Sequence, residues 1–246
     1  MPKTIILIPS RLKATRLPNK PLLKINNLPI ICHVVNKAKE SNIGEVYVCT
    51  GDEEIYEIVK NNGGNCILTN KEHHTGTDRI YEVFQKLNKL DVDYILNLQG
   101  DEPMIEIKDI INLNSNVCKN NSDMATLACK IDEAKKYNNE NIVKVQTQIK
   151  LTSDNFSQAK NFHRKLNIPD GKNIYHHIGI YQYKTSILKK YVNLSRTKNE
   201  MELKLEQLRA LENKINIDVF LSNNIPLGVD TEKDYMEIKK LMEYKS

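Results

Sequence analysis

Four cations, Arg11, Lys13, Arg16 and Lys20, fall within ten residues of the segment IPSRLKATRLPNKPLLKI. An arginine presents a planar fork that matches phosphate oxygens, while a lysine acts as a mobile point charge. Pro9, Pro18 and Pro21 punctuate the same segment. Proline lowers the conformational entropy of a free loop, so these donors stand closer to their working positions than they would on a glycine loop. The chemistry that asks for such an array is recognition of a phosphate chain. The spacing is neither G-x-G-x-x-G nor G-x-x-x-x-G-K-[ST], which disfavours a dinucleotide enzyme or a P-loop enzyme. The plain alternative is a solvated basic loop.

Acidic positions complement the cations. In NLQGDEPMI, Gly100 permits a sharp turn after an apolar run, and Asp101 then projects from the end of a strand. A carboxylate that faces a polyphosphate needs a divalent cation between them. LGVDTEKD repeats the pattern at Asp230, where capping of the following helix is the favoured local reading. In KEHHTGTDRI, Gly76 lies between Thr75 and Thr77; this stretch either binds a base or ribose or caps a helix, and both readings stay open. His73-His74 and His176-His177 are adjacent pairs without metal-ligand spacing. On a strand through IYHHIGIYQYK, His176, Ile178 and Ile180 share one face, and His177, Gly179, Tyr181 and Tyr183 share the other. The second face either lines a ligand or holds a buried His and Tyr with internal partners.

The elements that must position these residues alternate through the first half of the chain. Thr4–Pro9 reads as a strand buried on both faces, followed by a loop to Pro29 and a helix from about Ile30 to Ser41. Glu45–Thr50, Asn65–Thr69 and Asp93–Leu98 read as strands. Asp52–Asn62 and Thr77–Lys89 read as helices, the second with Thr77 as N-cap. This order predicts a parallel sheet covered by helices, with ligands beyond the carboxyl ends of its strands. The second half predicts strands at Met124–Lys130, Val143–Thr147, Asn155–Ala159, Tyr175–Lys184 and Ile215–Leu221, hence a mixed sheet. Met201, Leu205, Leu208 and Leu211 place one apolar face on a helix over Glu200–Glu212, and Thr231–Tyr244 closes the chain as a helix. One domain over 1–246 is expected.

Composition narrows the class. The chain is 40% hydrophobic and 27% charged, as an ordinary globular protein is. Its net charge of +5 is spread without a basic stripe interleaved with aromatics, so small polyanions suit it better than nucleic acid. Five scattered cysteines without a C-x-x-C read as buried free thiols. The apolar burst before Pro9 is too short for a signal peptide and no run approaches a membrane span, so the expected location is the cytoplasm.

The segments IPSRLKATRLPNKPL, HHTGTDRI, NLQGDEPMI, HHIGIYQY, LEQLRALE and GVDTEKD, in this order, resemble the 3-deoxy-manno-octulosonate (Kdo) cytidylyltransferases, or CMP-Kdo synthetases. The likeness runs from the first strand to the last helix. It implies a nucleotide-diphosphosugar transferase (Rossmann-like) α/β fold, a homodimer, a requirement for Mg2+, and a product destined for lipopolysaccharide. It further implies that Arg11 and Lys20, with Arg16, hold the phosphates of CTP. Ser10 and the Thr75–Arg79 segment, including Gly76, Thr77 and Arg79, would surround the nucleoside. Asp101 and Asp230 would ligate magnesium, and Gln99, His177, Tyr181, Glu206 and Gln207 would line the pocket for a 2-keto-3-deoxy sugar acid. The expected reaction is attack of the sugar's anomeric hydroxyl on the α-phosphate of CTP.

One stretch departs from the family pattern. Gln158 follows Phe156-Ser157 where the family has an arginine, with Lys160 and Arg164 further on as possible substitutes. The alternatives that follow are a synthetase for a variant acidic or amino sugar, such as 8-amino-Kdo, a glycosyltransferase of the same fold, or a nucleotide-binding protein without turnover.

Overall fold

Residues 2–13, 16–166, 173–225 and 227–244 are described by a computed structural model. The chain forms two compact units, Met1–Ile111 with Pro226–Ser246, and Asn112–Ile225.

In the first unit, β1 (Thr4–Ser10) is the central strand, and Ile5, Ile6, Leu7 and Ile8 are fully buried. Each such side chain contributes roughly 1.5–3 kcal/mol by leaving water. Around it, β4 (Val46–Thr50) pairs in parallel on one edge and β6 (Tyr94–Asn97) on the other; β5 (Cys66–Leu68) pairs with β4. Helices α1 (Ile30–Glu40), α2 (Glu53–Asn61) and α3 (Gly76–Leu87) make the crossovers. This is the expected parallel arrangement. The stretch to Pro29 is more than a loop. It holds a small hairpin, β2 (Lys24–Ile25) and β3 (Leu28–Pro29), turned by Asn26 and Asn27 at φ 48° and 61°. Asparagine tolerates that left-handed region better than most side chains. The N-cap of α3 is Thr75 and not Thr77: the Thr75 hydroxyl accepts from the Asp78 amide, and Thr77 is buried inside the first turn.

The chain leaves the first unit within α4 (Ile107–Asn120), a helix the sequence reading did not pick out. The second unit contains β7 (Met124–Cys129), β8 (Lys144–Thr147), β9 (Ser157–His163), β10 (Ile174–Lys184) and β11 (Ile217–Leu221). Ladders run β10-β7-β11-β9-β8, and β8 also pairs with β10, so the five strands close into a ring. Among the described residues of this unit, β7 and β11 pair in parallel and the other ladders are antiparallel, which makes this the mixed sheet expected. The strand expected at Asn155–Ala159 begins and ends later, at Ser157 and His163.

The helix expected over Glu200–Glu212 is broken. Its parts are α6 (Lys198–Leu203) and α7 (Gln207–Glu212), preceded by α5 (Thr185–Val192). Lys204 between them is left-handed at φ 54°. The cause lies far off in sequence, where the Arg164 guanidinium donates to the carbonyls of Leu203 (2.5 Å), Lys204 (3.1 Å) and Glu140 (3.1 Å). Leu205 and Leu208 are buried, but Met201 is half exposed, so the leucine spacing marks two short helices with separate faces.

All five cysteines are free thiols; Cys32, Cys49, Cys66 and Cys129 are buried and Cys118 is half-buried. Burial pushes Cys32 up to about 11 and Cys66 to about 12, and Cys49 well above its ordinary value. Among the described residues, no helix is long and apolar enough to cross a membrane.

The break at Lys204 predicts a change of sign. Glycine inside a continuous helix costs about 1 kcal/mol, whereas a left-handed position costs a side chain roughly 1–2 kcal/mol that glycine relieves. Lys204→Gly therefore raises the unfolding free energy, by up to about 1 kcal/mol after the entropy of the unfolded glycine is counted. Urea denaturation checks it; a loss near 1 kcal/mol instead restores the continuous helix.

Candidate active site

The two acidic segments of the first unit meet through their backbones. The Val229 amide donates to the Asp101 carbonyl at 2.9 Å, which sets Asp230 beside Asp101. Gly100 makes the approach of Asp101 to β1 possible, because a Cβ there would lie 3.1 Å from the Pro9 carbonyl oxygen and 3.0 Å from Ile31 Cδ1. Beneath both segments, Val229 packs with Ile25, Ile30 and Ile238, flanked by Leu17, Leu23, Met104 and Tyr235. Leu17 and Leu23 bracket the second half of the cationic loop, so one apolar cluster seats that loop and the segment that carries Asp230. The Tyr235 hydroxyl donates to the Lys24 carbonyl at 2.7 Å and ties α8 (Glu232–Glu243) to the hairpin.

Lys20 lies at the centre of the charges. Its ammonium donates to Asp101 Oδ2 at 2.5 Å and to Asp230 Oδ1 at 3.4 Å, and Arg16 pairs with Asp230 Oδ2 at 3.1 Å. The Lys20 side chain is 12% exposed against 53% for Arg16, so Lys20 is an anchored charge and Arg16 a peripheral one. Arg11 is exposed at the end of β1. Across the loop, the Asp52 carboxylate accepts from the Leu12 amide at 2.9 Å, and the Asn19 amide donates to the Leu12 carbonyl at 3.3 Å. Asp230 does not cap α8. That task falls to Thr231, whose hydroxyl accepts from the Asp234 amide in a capping box closed by the Asp234 side chain. The capping reading of Asp230 is thereby displaced.

Glu102, which the sequence reading passed over, belongs to the same group. Burial, reinforced by the charges of Asp101 and Asp230 and opposed by Lys20, pushes its carboxyl up to about 8. The signal lies in Gly-Asp-Glu-Pro itself, which offers two adjacent carboxylates at one strand end.

Near the carboxyl end of β1, the Ser10 hydroxyl is buried with no hydrogen-bond partner among the described residues. Gly76 starts α3 against Pro9, where a Cβ would stand 3.2 Å from Pro9 Cγ. The Thr75 hydroxyl is committed to Asp78. Arg79 is buried, and its guanidinium donates to the Thr69 hydroxyl and to the carbonyls of Asn70 and Lys71, both at 3.1 Å. Of the Thr75–Arg79 group, Arg79 thus shapes the 69–71 loop with the fork that the resemblance assigns to nucleotide. Gln99 is half-buried one residue before Gly100.

The other predicted residues belong to the second unit. His177 and Tyr181 share a face of β10 as expected, with ring centroids 5.3 Å apart; a bulge between Ile178 and Tyr181 preserves that alternation. Thr126, an isolated polar residue in the apolar strand β7, donates to the Ile180 carbonyl at 2.7 Å and lies 3.0 Å from His177 Nε2. With the hydroxyl proton committed to a carbonyl, Nε2 carries the histidine proton and Nδ1 is the acceptor. Burial holds the imidazole neutral, with its pKa lowered to about 3. The Tyr181 hydroxyl is buried and unpartnered among the described residues. Thr126 thus gives His177 an internal partner on this face, while Tyr181 has none for its hydroxyl among the described residues. Glu206 precedes α7 and is half-buried, and Gln207 opens it and is buried.

Gln158 stands apart from that face. It pairs with Asp218, and Val219 pairs with both Ser157 and Thr126. Paired residues share a face, so Ser157 lies with Thr126, His177 and Tyr181, and Gln158 lies on the reverse side. Its side-chain oxygen accepts from Gln148 Nε2 at 3.2 Å. Lys160 is exposed, and the Arg164 guanidinium is taken up by the three carbonyls described above.

Between about pH 4.5 and 8 only the folded chain keeps the Glu102 proton, so stability falls as pH rises through that window. Glu102→Gln removes the dependence. In chelator the variant gains roughly 1–3 kcal/mol over the parent above pH 8 and nothing below pH 4.5. Urea unfolding at the two pH values reads this directly; an equal effect at both excludes the proton linkage.

The profile of the cytidylyltransferase family matches residues 5–217. The chain is 40% identical over 234 residues to a 3-deoxy-manno-octulosonate cytidylyltransferase of Brucella anthropi, covering 94% of this chain and 93% of that protein. It is 39% identical over 244 residues to the protein of the same name from Rhodopseudomonas palustris, covering 99% of each. Among solved structures it resembles a CMP:2-keto-3-deoxy-manno-octonic acid synthetase complexed with CTP. There the TM-score is 0.88 and the identity 34%, over 99% of this chain and 100% of that one. A UDP-glucose pyrophosphorylase complexed with UDP-glucose, 15% identical with TM-score 0.70 over 100% of each chain, shares the fold alone. The expected nucleotide-diphosphosugar transferase fold holds.

Proposed function

The chain belongs to the cytidylyltransferase family, with the 3-deoxy-manno-octulosonate enzymes, and on that premise we propose how its residues perform cytidylyl transfer from CTP to Kdo. The observation that carries the reading is Lys20 held between Asp101 and Asp230 at the carboxyl ends of the parallel strands, where phosphates bind in this architecture.

The anomeric oxygen of the sugar bonds to the α-phosphorus as the bond to the bridging oxygen breaks, and pyrophosphate leaves. Phosphoryl chemistry of this kind asks a protein mainly for position and charge. Lys20, with Arg11 and Arg16, would exchange its present carboxylate partners for the departing phosphates. The free hydroxyl of Ser10 would meet the nucleoside beside Thr75, Gly76 and Thr77, with Arg79 shaping the loop that adjoins them. Within the second unit, Tyr181 would donate to a sugar oxygen, His177 would accept through Nδ1, and Glu206 with Gln207 would complete the sugar wall.

The donor set fits Mg2+. Asp101 and Asp230 are hard oxygen ligands that already share a single cation, the Lys20 ammonium. Among the described residues no group of three or more His, Cys, Asp or Glu forms a metal cage. Magnesium suits such a site, since it is commonly held by one or two carboxylates plus substrate phosphates. When bound, it would neutralise phosphate charge and lower the pKa of a coordinated hydroxyl. A homodimer in the cytoplasm completes the proposal.

The test is incubation with CTP, Kdo and magnesium, followed by pyrophosphate release and the mass of the product; a glycosyltransferase of the same fold releases no pyrophosphate. Lys20→Ala lowers kcat/KM about a hundredfold or more, on the order of 2–4 kcal/mol of transition-state stabilisation. Because Lys20 is ion-paired and largely buried, its loss also lowers stability, so the rate is referred to folded protein. Asp230→Asn keeps the shape, leaves Thr231 as the cap, and abolishes most activity, with little recovery in excess magnesium. Activity near that of the parent removes Asp230 from the metal reading.

A further inference from the structure

The turn that carries Glu206 and Gln207 is held by a buried network for which the proposed chemistry has no direct use. Tyr191, on α5 and 1% exposed, donates its hydroxyl to the Glu206 carbonyl at 2.9 Å. The same carbonyl accepts the Arg209 amide at 3.1 Å. The Arg209 guanidinium lies 4.6 Å over the Tyr191 ring. It is buried and bidentate to Glu200, Nε to Oε2 at 2.8 Å and a terminal nitrogen to Oε1 at 2.6 Å. Glu200 also accepts from Arg196 Nε at 3.1 Å and from the Thr197 amide at 3.2 Å. From Tyr191 the ring contacts continue through Tyr183 at 6.2 Å and Tyr181 at 6.1 Å to His177 at 5.3 Å.

A buried ion pair is weak evidence for stability, because apolar side chains of similar volume serve a core as well or better. What the fork and the stacked ring supply is a fixed orientation: a planar group held along one edge by a carboxylate and clamped on one face by a ring. Through Tyr191 the network reaches both the Glu206 carbonyl and the aromatic row leading to His177.

We propose that Tyr191, Arg209 and Glu200 are positioning residues for the sugar acid, holding the Glu206–Gln207 turn in register with Tyr181 and His177. The inference rests on the reading of those four residues as the sugar wall. It assigns specificity for the sugar to side chains that never touch it.

Tyr191→Phe isolates the effect, since it keeps the ring under Arg209 and beside Tyr183 and deletes only the hydroxyl. Steady-state kinetics with Kdo and CTP should show the KM for Kdo rising about tenfold, the worth of one hydrogen bond that sets geometry, while the KM for CTP stays within about twofold. Arg209→Lys, which keeps the charge and loses the fork, should move the same constant in the same direction. If it fails to fold, Tyr191→Phe alone decides. A Tyr191→Phe protein with a lower Tm and both KM values unchanged, or with both raised together, overturns the proposal. The direct variants Tyr181→Phe and Gln207→Ala separate the two levels. No effect of these on the KM for Kdo sinks the sugar wall itself, while an effect there with none at Tyr191 sinks only the positioning role.

Discussion

Asp101 and Asp230 are far apart in sequence and repel each other, yet one backbone hydrogen bond, from the Val229 amide to the Asp101 carbonyl, keeps their segments together. Repulsion between carboxylates must be met by something other than the carboxylates. Here it is met twice. The apolar cluster of Ile25, Ile30, Val229 and Ile238 fixes the backbones below, and the Lys20 ammonium neutralises the side chains above. The cationic loop, the hairpin that follows it and the C-terminal helix are all anchored through this one junction. Glu102 beside it is buried and feels both carboxylates, so its carboxyl keeps its proton well beyond the ordinary range.

Where local pattern and tertiary need agree, the sequence is legible. The apolar run at β1, the helices that follow β3 and β4, and Asp101 after Gly100 are all marked by composition within a few residues. The Lys20 loop is marked too, although its lysine turns out to be an anchored charge and not a solvated one. Illegible features depend on distant partners. Leucine spacing over 200–212 is helical throughout, and nothing nearby shows that Arg164 will claim the carbonyls at 203 and 204 and end the helix there. Both Thr75 and Thr77 offer a capping hydroxyl, and the bond from the Asp78 amide to the Thr75 hydroxyl marks where α3 starts. Asp230 next to Thr231 poses the same ambiguity, resolved when Thr231 takes the cap and leaves the aspartate to the charge cluster.

The second unit shows how a mixed sheet hides which residues share a face. Alternation along β10 correctly groups His177 with Tyr181, because the bulge between them does not alter which side each residue faces. Alternation along β9 says nothing of which side Gln158 faces relative to β10; the ladders through β11 and β7 are needed for that. A departure from a family motif at Gln158 is therefore readable as a change of residue, but its bearing on a pocket follows only from strand order.

The cysteines give the molecule a built-in set of reporters. Cys32 on α1, Cys49 on β4 and Cys66 on β5 sit in the first unit, Cys129 on β7 in the second, and each is sealed in the folded state. Burial closes all four to reagent, and the raised thiol pKa values of Cys32, Cys49 and Cys66 leave almost no thiolate there, so alkylation must wait for local opening. Pulse labelling followed by peptide mapping would time the opening of each element separately, without an introduced probe. Whether the two units melt as one cooperative body or in succession can be read from the native thiols alone.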